Sequence, residues 1–381
     1  MKNPWFKEEH EIFRNTVRRW AENELAPHAD EWEEKKDFPN WVFKRAGELG
    51  FLGITYPEDV GGSGCDYFYK VVYCEELPRC NCGGVTMALL VQSDMASPPI
   101  HYLGTKEQKE RYLTPIIKGE MIAALGVTEP NAGSDVAAMR TTARRKGDSY
   151  VINGTKIFIT NGARADVVTL AAKTDPEKGY NGISLFLVDT KLPGFSVSRK
   201  LEKMGMHPSD TAELVLEDVV VPRENLLGEE NKGFMEVMIN FQGERLVAAI
   251  GSVASAARVL EKTIDYVRQR EVFGRPLSRF QVTRHKIVDM LCDIETARQY
   301  VYYCAWLFSQ DRNPAKEISM AKIVATEMSI RVINQCLQLH GGYGYMREYG
   351  IERAYRDARL STIGGGSTEV MKEIVGRAMG L

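Results

Sequence analysis

The sequence predicts an α+β chain in three consecutive parts: an N-terminal α-helical domain over residues 1–121, a middle antiparallel β-barrel domain over 122–232 and a C-terminal four-helix bundle over 233–381. Three observations predict it. Apolar residues recur at helical spacing up to about residue 120. The period then falls towards two, with turn residues between short runs, until about residue 230. Beyond Gly233 helical periodicity returns in much longer stretches.

The elements follow in order. KEEHEIFRNTVRRWAENEL places Phe13, Val17, Trp20 and Leu25 on one helical face, and Pro27 is expected to end the run. WVFKRAGELGFLGI gives a second helix, broken at PEDVGGSG. TKEQKERYLTPIIKG gives another, with Thr105 as its cap and Glu107 and Glu110 in its first turns. The runs SYVINGTKIFIT, DVVTLAA, GISLFLVD and TAELVLEDVVVP read as strands, with a hairpin turn expected at Asn153-Gly154. Strands without intervening helices argue for an antiparallel barrel or sandwich rather than a parallel sheet. Long apolar-faced helices then start at GFMEVMINFQGERLV, FQVTRHKIVDM and PAKEISMAKIV, as a bundle with subunit contacts requires.

Composition narrows the function. The chain has 381 residues, 44% hydrophobic and 26% charged, with a formal net charge of -2. That near-neutral balance, without a basic block, argues against nucleic acid as the main partner. No uninterrupted apolar run approaches the ~18 residues of a membrane span. The start, MKNPWFKEEHEIF, scatters charges where a secretory signal needs an apolar core, so a cytoplasmic protein is expected. The seven cysteines are scattered and Cys80-Asn81-Cys82 has no second pair at metal spacing; reduced, structural thiols and no metal are expected.

Several glycine-rich or hydroxyl-rich segments interrupt these elements. LGVTEPNAGSD (Leu125 to Asp135) leads out of the first β run, and KIFITNG puts Thr160 at a strand end. RQREVFGRPLSRFQ sets Arg270 and Gln281 on either side of a glycine loop, QLHGGYGYMRE places Gly341, Gly342 and Gly344 at a helix end, and STIGGGSTEV lies close to the C-terminus. Each alone is ordinary turn or cap chemistry. In this order and spacing they resemble the acyl-CoA dehydrogenase family, over essentially the whole chain and including the three-part layout.

That resemblance implies an FAD enzyme. A flavin ring needs a flat slot lined by backbone amides and hydroxyls. By the family's pattern Val127 and Thr128 address its pyrimidine edge, Phe158 flanks it and Thr160 faces N5, with Leu125, Gly133 and Ile159 beside them. Ser134 falls where flavin and thioester chain both pass. Arg270, Phe280, Gln281, Gln338, Gly341 and Gly342 match positions that hold the FAD pyrophosphate and adenine across a dimer interface, and Ser367 and Thr368 match the last flavin contacts.

The resemblance also implies that the catalytic base is displaced. Much of the family carries the base glutamate in a Glu-Gly-Thr-Ser turn, where this chain reads Gly365-Gly366-Ser367-Thr368. Members resembling isovaleryl-CoA and long-chain acyl-CoA dehydrogenases carry it on the first bundle helix, just before an arginine. Here FQGERLV offers Glu244 before Arg245. Only the place of the carboxylate oxygen matters to proton abstraction, not the element carrying it. Glu244 is therefore the expected base, with Gly365 and Gly366 on the substrate thioester and Arg245 towards the nucleotide end of CoA.

Asp94, in VQSDMASPP, lies where the family walls the acyl pocket. It either bonds neighbouring backbone amides or acts as a second base for 1,4-dehydrogenation of a cyclic enoyl-CoA. A catalytically silent flavin-binding protein is the reading that Gly365 leaves open. The expected reaction is α-proton abstraction with β-hydride transfer to flavin N5, electrons passing to an electron-transfer flavoprotein. A homotetramer, as a dimer of dimers, is the assembly implied.

Overall fold

A computed structural model describes residues 4–310 and 314–381, and the counts below are of these residues. Helices occupy the N-terminal part: α1 (Glu8–Trp20), α2 (Trp41–Glu48), α3 (Tyr67–Glu76) and α4 (Gly83–Val91), among shorter turns. Val17, Trp20 and Leu25 are buried along the predicted face. Pro27 does not end the first run: α1 passes through a π turn (Ala21–Leu25) and a 3-10 turn (Ala26–His28). A proline in a first helical turn loses no hydrogen bond, because its missing N–H would be unpaired there anyway. Thr105 caps as expected, its hydroxyl accepting from Gln108 N at 3.2 Å while the Gln108 side chain accepts from Thr105 N.

The middle part is an eight-stranded sheet: β1 (Ala123–Gly126), β2 (Thr142–Lys146), β3 (Ser149–Ile159), β4 (Val167–Lys173), β5 (Ile183–Asp189), β6 (Phe195–Lys200), β7 (Ala212–Pro222) and β8 (Leu226–Leu227). Its order is β6-β7-β3-β2-β4-β5-β8, mainly antiparallel. β1 joins it parallel to β4, in register Ala123↔Val167. The hairpin expected at Asn153-Gly154 is not there. Both residues lie inside β3, and the β2–β3 turn is Gly147-Asp148 instead. Gly154 is needed for close approach rather than for turning: a Cβ there would meet Thr141 Oγ1 at 2.3 Å. The pairing of β3 with β7 slips at this point, and Asn153 and Asp218 bond each other across the slip.

The C-terminal part holds α5 (Gly233–Gln269), α6 (Gln281–Ser309), α7 (Ala315–His340), α8 (Ile351–Ala358) and α9 (Thr368–Ala378). One core joins N-terminal residues such as Val17, Trp20 and Tyr73 to Leu246, Ile250 and Ala325 of the bundle. A second core packs Ile100 and Ile116 against Val167, Leu185 and Val237. The helices are thus fixed to both the sheet and the bundle. No helix among the described residues is long and apolar enough to cross a membrane.

Candidate active site

The site is built where α5 meets the glycine turn before α9. Glu244 lies three turns into α5, partly buried. A Cβ added at Gly365 would stand 3.0 Å from Glu244 Oε1. The carboxylate therefore fills the volume that a side chain at position 365 would enter. Gly365 (φ +65°) and Gly366 (φ +96°) are left-handed, a conformation open to glycine without penalty. At Gly366 an added Cβ would also meet Met371 Cε at 2.7 Å.

Two buried cations hold this turn. Arg245 Nε donates to Gly365 O at 3.2 Å, with its guanidinium over the Phe241 ring. Lys322 Nζ donates to Gly364 O at 2.6 Å and Gly366 O at 2.5 Å. Burial pushes the Glu244 carboxyl up to about 6, while the charges of Arg245 and Lys322 pull it back. Burial also brings the Lys322 ammonium down to about 8. Arg245, expected towards the nucleotide end of CoA, is only 4% exposed and directs its Nε at the turn.

Lys322 was not picked out from the sequence. The signal was available: it shares a helical face of α7 with Ile318, Ala325 and Ser329, all buried. Lys156 is a similar case, fully buried on β3, donating to Val127 O at 3.0 Å and Glu129 Oε1 at 2.8 Å. Glu129 also accepts from Thr141 N at 3.0 Å. This pair fixes the Val127–Thr128 segment, whose Thr128 O accepts from Ile157 N at 2.9 Å.

The other predicted residues fall into two groups. Leu125 is the last residue but one of β1 and Ile159 the last of β3, next to Val127, Thr128 and Thr160 in the chain. Phe158 sits in a bulge of β3, left-handed at φ +60° and 65% exposed. Gly133 and Ser134 occupy an exposed turn, and a Cβ at Gly133 would touch nothing within 4 Å. Asn161 ties the end of β3 to α4 by donating to Ala88 O at 3.0 Å. Thr169 donates to Ala96 O and Asn240 to Met95 O, so the Gln92–Ala96 turn bridges sheet and α5. Glu244 follows Asn240 by one helical turn, on the same face.

The second group gathers at the far end of α5. Arg270 ends that helix and lies over the Tyr343 ring, while Tyr266 stacks on His340 at 4.2 Å. This brings Arg270 beside Gln338, Gly341 and Gly342. Phe280 and Gln281 open α6 across the glycine loop, Phe280 carrying the Arg275 cation. Ser367 and Thr368 lie instead with the glycine turn beside Glu244: Ser367 caps α9, accepting from Val370 N, and Thr368 is buried behind it. Glu369 is exposed on the first turn of α9.

Among the described residues Asp94 accepts from side chains and from no backbone amide. Its Oδ2 accepts from Lys70 Nζ at 3.1 Å and Ser93 Oγ at 2.6 Å, in a π turn. Lys70 is buried and Asp94 nearly so, with side-chain exposures of 3% and 11%. Breaking such a pair from one side costs about 3–5 kcal/mol. Asp94→Asn is therefore expected to lower thermal stability sharply while the folded variant still bleaches its flavin with straight and cyclic substrates in about the wild-type proportion, measured by melting and stopped-flow on the same preparation. Loss confined to a cyclic enoyl-CoA would make Asp94 a base.

Whether FAD fits can be judged from the chain itself. An aromatic face stands exposed at Phe158, and the hydroxyls of Thr128, Ser134 and Thr160 make no hydrogen bond within the described chain. Added Cβ atoms at Gly341 and Gly342 would touch nothing within 4 Å, leaving backbone open to a close ligand. These features fit a flat ring with a long nucleotide tail.

The fold and this site suit a protein that holds a flat ring and its nucleotide tail, and comparison with known proteins specifies its class. Three family models match in sequence order: the acyl-CoA dehydrogenase N-terminal domain over 7–120, the middle domain over 124–219 and the C-terminal domain over 231–380. The mouse mitochondrial long-chain specific acyl-CoA dehydrogenase is 42% identical over 98% of this chain and 86% of its own. The caffeyl-CoA reductase-Etf complex subunit CarC of Acetobacterium woodii is 40% identical, over 97% and 98%. The crystal structure of an acyl-CoA dehydrogenase from Geobacillus kaustophilus superposes with a TM-score of 0.95 at 42% identity, covering 99% and 100% of the two chains. The chain belongs to the acyl-CoA dehydrogenase family and is an FAD-dependent oxidoreductase acting on acyl-CoA.

Proposed function

We propose that this protein oxidises the Cα–Cβ bond of an acyl-CoA to a 2-enoyl-CoA, with Glu244 taking the α-proton and electrons leaving to an electron-transfer flavoprotein. One observation carries the reading: Glu244 Oε1 lies 3.0 Å from where a side chain at Gly365 would begin. A carboxylate reaching the site from α5 thereby replaces one reaching it from the turn.

When bound, FAD supplies the two-electron acceptor for the β-hydrogen. Val127, Thr128, Ser134, Phe158 and Thr160 would hold its ring, with Leu125, Gly133 and Ile159 around them. Arg270, Phe280, Gln281, Gln338, Gly341 and Gly342 would hold its nucleotide end, and Ser367 and Thr368 its last contacts. The Gly365 N–H would polarise the thioester carbonyl, which acidifies the α-proton. Burial raises the proton affinity of Glu244 towards that of the carbon acid it must deprotonate. The relative named for an Etf complex supports the electron-transfer partner.

The direct test is anaerobic mixing with straight, branched and cyclic acyl-CoAs, following flavin bleaching and product mass. Bleaching by at least one saturated acyl-CoA, with loss of two hydrogens, is expected; bleaching by none would contradict the proposal. The pH dependence has a definite sign. Below pH about 6 Glu244 holds a proton and cannot accept another, so kcat/KM should rise through pH about 6 and level off above it. A profile flat from acid to neutral pH would exclude Glu244.

A further inference from the structure

The reaction as proposed gives Lys322 no part, yet its geometry is specific. Lys322 is 1% exposed, and among the described residues its Nζ bonds no carboxylate; its acceptors are the carbonyls of Gly364 and Gly366. Burying an ammonium costs several kcal/mol unless its protons are used. Here they are used on the turn that faces Glu244.

The consequence follows from peptide geometry. In a trans peptide the C=O of one residue and the N–H of the next point in opposite directions, and the chain has no cis bonds among the described residues. The carbonyls of Gly364 and Gly366 point to Lys322, and that of Gly365 to Arg245. The N–H groups of Gly365 and Ser367 therefore point away from Lys322, and that of Gly366 away from Arg245. None of the three has a hydrogen-bond acceptor among the described residues.

We propose that Lys322 is a positioning residue for catalysis: it aims the Gly365 N–H at the thioester oxygen of bound acyl-CoA and supplies fixed positive charge for the enolate that forms there. The inference rests on Glu244 being the base. The proton leaves Cα for a Glu244 oxygen, and the C–H electron pair moves to the thioester oxygen. Glu244, Arg245 and Lys322 are the charged groups facing one another here. Before the step their charges sum to about +1. Afterwards Glu244 is neutral and the enolate carries the negative charge, so the total is unchanged. A preorganised charge of this kind needs no rearrangement as the reaction proceeds.

The test is Lys322→Met, which keeps length and removes charge and donors. Difference infrared spectroscopy of a bound 2-enoyl-CoA labelled with carbon-13 at the carbonyl reads the polarisation directly. The carbonyl band should return towards its free-ligand position. At the same time kcat should fall on the order of 10²-fold, the effect of losing one oxyanion donor, with KM changed much less. The acid limb of kcat/KM should move above pH about 6, because removing a cation favours protonated Glu244. A variant that binds the enoyl-CoA with the wild-type carbonyl band overturns the proposal. If Lys322→Met does not fold, Lys322→Gln, neutral and one atom shorter, decides: the band should again move towards its free-ligand position, and a wild-type band overturns the proposal. Glu244→Gln should leave the band polarised while stopping proton abstraction, so failure of the base assignment and failure of this inference give different results.

Discussion

Glu244→Gln is expected to slow flavin reduction by a saturated acyl-CoA at least ~10²-fold, with FAD content and enoyl-CoA binding near wild type. The amide keeps the shape of the side chain and removes its basicity. The same change should raise thermal stability slightly at pH 7. Burial lifts the Glu244 pKa from 4.5 in the unfolded chain to about 6 in the folded one, so its ionised form costs stability at any pH above that range. Gln carries no such cost. Below the unfolded pKa both states are protonated and the stability difference should vanish. Lost activity together with a protein no less stable separates a catalytic role from a structural one. Stopped-flow bleaching and melting curves at pH 4 and pH 7 make the measurement.

The second large effect concerns where a base may stand. In an otherwise wild-type chain, Gly365→Glu should abolish activity, because its Cβ would press on Glu244 Oε1 at 3.0 Å and place two carboxylates together. Emptying the space first changes the outcome. Glu244→Gly with Gly365→Glu should recover flavin reduction at least ~10-fold over Glu244→Gly alone, since proton abstraction depends on where the carboxylate oxygen sits. Recovery should be partial and the protein less stable, because a side chain at φ +65° costs about 1–2 kcal/mol. No recovery in a folded double variant would show that the Gly365 position has lost its access to the substrate.

These expectations show what could be read from the chain in advance. The change of period near residues 122 and 233 marked the passage from helices to sheet to long helices, since side-chain spacing follows directly from backbone geometry. Glu244 was legible because the glycine at 365 left a chemical role unfilled and FQGERLV offered a carboxylate for it. Asn153-Gly154 misled because a glycine that admits Thr141 looks, in sequence, like one that turns the chain. Pro27 misled because the consequence of a proline depends on whether its N–H was needed. The parallel pairing of β1 with β4 joins strands some forty residues apart, and no local pattern encodes it. Asp94 and Lys322 show the same limit: each is defined by a partner distant in sequence, Lys70 for one and the glycine turn for the other.

The central claim is that Glu244 removes the α-proton, and it can be isolated from every later step. An acyl-CoA with α-hydrogens but a quaternary β-carbon, 3,3-dimethylbutanoyl-CoA, can be deprotonated yet cannot be dehydrogenated. Incubated with the holoenzyme in heavy water, it should take up deuterium at Cα, read by proton NMR of the recovered thioester. The wild-type and Asp94→Asn proteins should wash deuterium in at comparable rates, and Glu244→Gln at least ~10²-fold more slowly. Exchange by Glu244→Gln at the wild-type rate would contradict the account.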